Sequence, residues 1–202
     1  RALWALTQAY PQLRARRRRG AAPGDARFRV GHGGTLDPLA TGLLVLLMGR
    51  TSRLSPYLLG MDKTYLATVR FGAATDTLDA DGEITATAPP PAGGADAVAA
   101  LLPRFTGLIT QVPPVYSAIK RDGRSLHIAA RAGQEVAEPP AREVTIHGLR
   151  LLAARWDGQR PEVDLEIACS SGTYVRSLAR DLAVAAGSLG HGHPRPAPGY
   201  PA

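Results

Sequence analysis

The sequence predicts an α+β domain, and three observations carry that expectation. Hydrophobic residues make up 45% of the 202, enough to fill a core, while charged residues stand at 20%, near the globular norm. Stretches with strand periodicity and stretches with helical periodicity are interleaved. They never settle into the regular βα alternation of a doubly wound parallel sheet. No internal repeat is visible, and the length fits one domain or two. Aromatic residues are only 5%, so aliphatic side chains must do most of the filling.

In chain order, residues 2–10 place Leu3, Leu6 and Tyr10 at helical spacing until Pro11 interrupts. Arg14 and the run Arg16, Arg17, Arg18, Arg19 form a basic stretch, which reads either as solvated or as facing a polyanion. Residues 20–24 are a loop. Residues 28–30 form a short strand leading into the turn Gly31-His32-Gly33-Gly34. Helices follow over 38–48 and 52–59. Residues 63–72 are rich in β-formers and alternate, with Tyr65, Ala67, Val69 and Phe71 on one face, so they form a strand. Residues 75–82 are an acidic loop, 89–94 a Pro/Gly linker, and 96–104 a helix. A strand over 115–120, a turn at Asp122-Gly123 and a helix over 125–131 ended by Gly133 come next. Strands over 143–154 and 162–170 precede a helix over 173–186. From Ser188 the composition shifts to Gly190, Gly192, Gly199 and Pro194, Pro196, Pro198, Pro201, which predicts a disordered tail over 188–202.

Net charge is +7, and Lys63 and Lys120 are the only lysines, so arginine carries nearly all of the positive charge. A basic surface suits a nucleic acid, although Arg, Ala, Gly and Pro also rise together in GC-rich genomes. Cys169 is the only cysteine, which excludes an internal disulfide and a cysteine-based zinc site and makes a reducing compartment the default. The longest apolar run, residues 43–48, is far too short to span a membrane. The first residue is Arg1 rather than Met, which leaves open a leader removed upstream.

Three segments carry candidate chemistry. The first is Gly31-His32-Gly33-Gly34-Thr35-Leu36-Asp37-Pro38-Leu39-Ala40-Thr41-Gly42. Asp followed by Pro is a strong helix start, so Asp37 reads either as an N-cap or as a catalytic carboxylate. The glycines fit neither nucleotide-binding pattern. The second is Thr75-Asp76-Thr77-Leu78-Asp79-Ala80-Asp81-Gly82, whose Asp-x-Asp-Gly hints at a calcium loop. Thr77 stands at the first ligand position and Ala88 where the bidentate Glu belongs, so calcium is rejected. The third is Gly172-Thr173-Tyr174-Val175-Arg176, at a strand-to-helix junction, where Arg176 reads as a surface residue or as the positive partner of a carboxylate. His32, His127, His147, His191 and His193 show no zinc or nucleophile-base arrangement.

Taken together, these segments resemble the TruB family of tRNA pseudouridine synthases. The likeness runs from about Phe28 to Ala186 and also takes in Asp62-Lys63-Thr64-Tyr65 and Gln111-Val112-Pro113-Pro114-Val115-Tyr116-Ser117-Ala118-Ile119-Lys120. Five ordered segments at family spacing are far more specific than any one motif, and they favour the catalytic reading of Asp37. The resemblance implies a mixed, mainly antiparallel sheet flanked by helices. It implies isomerisation of a uridine to pseudouridine, with the T-loop uridine numbered 55 in tRNA as the target; some eukaryotic relatives also act on mRNA. It implies Asp37 as the essential carboxylate, Arg176 as the cation that keeps it ionised, and Tyr65 as the ring stacking on the target base. His32 would lie near the displaced nucleotide, with Tyr174 and Lys120 in the site wall and RNA surface. No cofactor and no metal are implied, and the protein is expected to work on the tRNA T-arm as a monomer, away from membranes, in the cytoplasm or an organelle.

Three departures from the family pattern bear on this. The N-terminal strand with its Lys-Pro segment is missing before Arg1, the Leu-Arg-Arg segment after the last helix is absent, and the tail stands where a PUA-type RNA-binding domain would follow. The expectation is therefore a catalytic domain over 1–187, incomplete at both ends, with poor turnover on its own. The alternatives are a catalytically impaired RNA-binding fragment of the same family and a basic structural protein whose Asp37 merely caps.

Overall fold

The computed structural model describes residues 30–37, 39–117, 120–121, 124–125, 139–156 and 160–194. The chain divides into two compact units, Arg1–Pro38 with Gly42–Met61, and Leu39–Thr41 with Asp62–Ala202. The helical spacing at 2–10, the arginine run, the Asp122-Gly123 turn and His127 lie outside the described residues.

In the first unit β1 (Val30–His32) pairs antiparallel with β2 (Leu46–Met48), Gly31 opposite Leu47. A 3-10 turn, Gly49–Leu54, leads into α1 (Ser55–Gly60), with Pro56 in the first turn, where its missing N–H costs nothing. The glycine of β1 serves this packing. A Cβ on Gly31 would lie 3.4 Å from Ser55 Oγ, and one on Gly33 would lie 3.3 Å from Leu58 Cβ. The helix expected over 38–48 is absent: described residues 39–45 hold no helix, and 46–48 are strand. Gly42 and Gly49 sit at φ +135° and +63°, outside the helical region, and Gly33 N–H donates to Val45 O at 2.9 Å. A short apolar run reads equally as strand or helix, and here a strand partner decided. The capping reading of Asp37 loses its helix with it.

The second unit is built on a five-stranded sheet, order β11-β3-β10-β9-β6, with every neighbour antiparallel. Its strands are β3 (Lys63–Phe71), β6 (Gly107–Gln111), β9 (Arg142–Arg155), β10 (Glu162–Cys169) and β11 (Gly190–Pro194). Period-two alternation sorts the faces. Ala67, Val69 and Phe71 with Val163, Leu165, Ile167 and Cys169 are buried, Tyr65 lying at the end of that row where burial gives out. They pack against α2 (Gly94–Leu101), through Val98, and against α3 (Val175–Ala185), through Leu178, Ala179, Leu182 and Ala183. That spacing is one stripe of a helix.

The opposite face carries cross-strand ion pairs. Arg155 grips Asp164 at 2.7 and 2.8 Å and also donates to Glu162, Arg70 meets Glu162 at 2.6 Å, and Arg150 meets Glu166 at 3.0 Å. Burial alone would raise the Glu162 carboxyl, but the hydrogen bonds from Arg155 and Arg70 outweigh it and hold the group below its usual range.

A hairpin of β4 (Ala73–Thr75) and β5 (Ile84–Thr87) frames the acidic loop, and a short one pairs β7 (Lys120–Arg121) with β8 (Arg124–Ser125). Residues 115–117 hold no strand, Lys120 is in strand with 118–119 outside the described part, and Ser125 is in strand rather than helix; residues 126–131 also lie outside the described part. Of the tail expected to be disordered over 188–202, residues 190–194 are instead β11, pairing with β3, and 195–202 lie outside the described residues. Glycine is needed there for fit. A Cβ on Gly190 would come 2.7 Å from Ala183 Cβ and 2.8 Å from Arg70 O, so a bare backbone fills a slot between helix and sheet. Among the described residues no helix is long and apolar enough to cross a membrane.

Candidate active site

In the second unit two sequence segments converge on the first turn of α3. Arg176 lies in that turn, its side chain only 11% exposed. One guanidinium nitrogen donates to Thr77 O at 2.8 Å and to Asp79 Oδ2 at 3.1 Å, and the other donates to Tyr116 O at 3.1 Å. Arg176 thus joins the 75–82 loop and the 111–117 segment. A planar fork suits this job, since its donors diverge toward several acceptors at once.

Each neighbour is itself held. Asp79 Oδ1 accepts from Thr77 Oγ1 at 2.6 Å and from Asp81 N–H at 3.1 Å, while Thr75 Oγ1 donates to Asp79 O at 2.7 Å. Leu78, between the two acceptors of Arg176, sits at φ +60°, a left-handed conformation strained for leucine. Gln111 is fully buried and clamps the peptide at Tyr174: its amide donates to Tyr174 O at 3.3 Å and accepts from Tyr174 N–H at 3.0 Å. Ser177 Oγ donates to Val112 O at 2.7 Å, tying the same turn a third time.

Tyr174 is the N-cap residue of α3, its ring under the Arg142 guanidinium at 5.5 Å. Tyr65 is half-buried in β3, opposite Ile167. Lys120 falls in β7. In the first unit His32 ends β1, exposed, its carbonyl accepting from Ser55 Oγ at 2.7 Å. Asp37 is exposed in the connection from β1 to β2. The set expected from the sequence is thus divided, with Asp37 and His32 in the first unit and Tyr65, Lys120, Tyr174 and Arg176 in the second.

Sequence reasoning missed Asp79 and Gln111. Asp79 was weighed only as a calcium ligand; it holds an arginine instead. The signal available was a carboxylate just after two threonines with no metal partner set, and among the described residues no cluster suits a metal. Gln111 gave no signal, because a buried amide is recognised only by the peptide it clamps. Burial pushes the Cys169 thiol up, against a weaker opposing hydrogen bond from Thr173, and its side chain is fully buried.

Comparison with known proteins agrees with the resemblance. The profile of the family described as "TruB family pseudouridylate synthase (N terminal domain)" matches residues 22–175. A protein of Bordetella pertussis named tRNA pseudouridine synthase B is 48% identical over 165 residues, covering 81% of this chain and 66% of its own length. One of the same name from Aromatoleum aromaticum is 53% identical over 163 residues, covering 81% and 51%. The chain thus spans about half to two thirds of these relatives. A crystal structure of a Cbf5-Nop10-Gar1 complex superposes with a TM-score of 0.57 at 22% identity, covering 95% of this chain and 44% of that one, and shares the fold.

Proposed function

The chain belongs to the TruB family of pseudouridylate synthases, and from that membership we propose that it converts a uridine of RNA into pseudouridine, with the T-loop uridine 55 of tRNA as its target. The observation that carries the reading is the match over residues 22–175, which takes in Asp37 and Tyr65 and ends beside Arg176. In this reaction the N1–C1′ bond breaks, the uracil turns, C5 bonds to C1′, and the C5 proton is lost as N1 gains one. No atom enters or leaves overall, so the demand on the protein is for a carboxylate, a cation and a surface for the base.

Asp37 supplies the carboxylate and must be ionised to act as nucleophile or base. Arg176 supplies the cation, and its support by Thr77, Asp79 and Tyr116 fits a group that has to keep one orientation. The target uracil must leave its stack. Tyr65 offers it a ring face, worth ~1–3 kcal/mol by analogy with other stacked bases. His32, Tyr174 and Lys120 serve as contacts to the surrounding RNA.

The test is Asp37→Asn in the full chain, assayed on tRNA labelled at uridine. Pseudouridine formation should vanish while tRNA affinity and folding stay near wild type. Turnover above a small fraction of wild type would end the catalytic assignment. Loss of tRNA binding together with turnover would point to a structural role for Asp37.

A further inference from the structure

His191 is buried in the second unit, and the reaction described above gives it no role. It is 5% exposed, in the middle of β11, opposite Arg70 of β3. Its Nδ1 lies 3.0 Å from Ala73 O of β4. A carbonyl only accepts, so Nδ1 carries the hydrogen and a second proton can enter only at Nε2. The next residue, Gly192, donates its N–H to Leu78 O at 3.0 Å and bridges to Asp79. Leu78 and Asp79 belong to the stretch that grips Arg176. Gly192 also lies against Arg176 itself, where a Cβ would stand 3.6 Å from Arg176 Cγ. The loop holding Arg176 therefore closes on β11, and His191 pins β11 to β4.

We propose that His191 is a positioning residue for Arg176, acting through β11 and only while its imidazole is neutral.

The surroundings disfavour an imidazolium. Burial is the largest cause lowering the His191 pKa; the Ala73 carbonyl opposes it, Arg70 and His193 add repulsion, and Asp79 adds a weaker attraction. Asp79 is already paired with Arg176, and Arg70 with Glu162. α3 meets β11 through Arg176, Ala179 and Ala183, and β4 carries no charged residue. In an opened strand the histidine returns to its ordinary value of ~6.5. Below that pH the open strand binds the proton better, so opening grows by up to about tenfold per pH unit until the closed-state value is reached. Opening takes the Gly192 N–H from Leu78 O, and the strained φ of Leu78 then has less to hold it. Thr77 O and Asp79 leave Arg176 as the loop relaxes.

The experiment is hydrogen exchange on the full chain, corrected for intrinsic rates, from about pH 7.5 to about pH 5 across the ordinary histidine range. Segments 190–194 and 76–79 should lose protection together, by up to about tenfold per unit, while β9 and β10 hold. His191→Asn keeps an amide donor where Nδ1 stands and cannot take a second proton. It should match wild type at the upper pH and stay flat below. A flat wild type, a step that persists in the variant, or opening of 190–194 that leaves 76–79 protected would overturn the proposal. Should the variant fail to fold, the wild type decides by nuclear magnetic resonance. The His191 imidazole should titrate below the ordinary value, and the Arg176 guanidinium should move with the same midpoint; an ordinary midpoint or an unmoved Arg176 overturns it. The proposal rests on the proposed role of Arg176 only for its effect on turnover. Neither readout involves RNA, so its failure is separable from failure of the proposed reaction.

Discussion

Removing the Asp79 charge while keeping its shape isolates the contact that the sequence did not reveal. Asp79→Asn leaves an oxygen to accept from Thr77 Oγ1 and the Asp81 N–H, so the loop retains its local bonds. What changes is the atom 3.1 Å from the Arg176 guanidinium, which becomes an amide NH2 facing another donor. Both side chains are largely shielded, at 11% and 14% exposure, so solvent screening is weak. A hydrogen bond to a charged group contributes ~1.5–3 kcal/mol. Two carbonyls remain on Arg176, which places the loss at the lower half of that range, ~1.5–2 kcal/mol. If the whole loss falls on the orientation of Arg176 in the transition state, turnover drops ~10–30-fold. Single-turnover rates on labelled tRNA should show that drop with tRNA affinity little changed, and urea unfolding should show a stability loss no larger than the same figure. Turnover within about twofold of wild type, beside a clear stability loss, would refute the reasoning: Asp79 would then be holding the loop and not the arginine.

Other perturbations test other parts of the chain. Arg176→Lys should recover only part of the activity that Arg176→Ala removes, because an ammonium cannot reach Thr77 O, Asp79 and Tyr116 O with one planar fork; equal recovery would show that charge alone matters. Leu182→Ala, at 0% exposure, should cost ~2–5 kcal/mol in urea unfolding, and a cost below ~1 kcal/mol would mean that the α3 stripe repacks. The Glu162 carboxyl is held below its usual value when folded, so the unfolded chain takes up the proton first as pH falls. Its contribution is complete above the unfolded value of 4.5 and is lost below it, and Glu162→Gln should flatten stability between about pH 5 and pH 3 in urea melts. Neutralising Arg16, Arg17, Arg18 and Arg19 should flatten the salt dependence of tRNA binding by ~0.7–0.9 for each phosphate that the run had neutralised; an unchanged slope would mark the run as solvated.

The strands β3 and β10 and helix α3 were legible because each is long and buries one regular face, and β9 because of its length and its Val144-Thr145-Ile146 run. Period-two alternation of Tyr65, Ala67, Val69 and Phe71 needs no knowledge of the partner strand. The short elements were legible only in part: the helices expected over 52–59 and 96–104 meet α1 and α2, while others were missed. Residues 46–48 read as helix because Leu and Val at adjacent positions fit either period, and in β6 an exposed Leu108 and a buried Gln111 run against any hydrophobic alternation. Asp37, Tyr65 and Arg176 were named from family spacing, while the local rule at Asp37-Pro38 favoured a cap for which no described helix exists.

By itself, then, the sequence determined the fold class, the strands and helices with a full buried face, and the family, since these depend on residue type and spacing along the chain. Only the tertiary structure decided what Arg176 leans on. Asp79 lies 97 residues from it and Tyr116 60 residues, separations across which no local pattern extends. It also reversed the reading of the tail over residues 190–194. Glycine at 190 and 192 weakens a chain's preference for order when taken alone, yet at Gly190, between α3 and β3, the absence of a side chain is the condition for fitting, and the backbone hydrogen bonds to β3 and Leu78 supply what composition withholds.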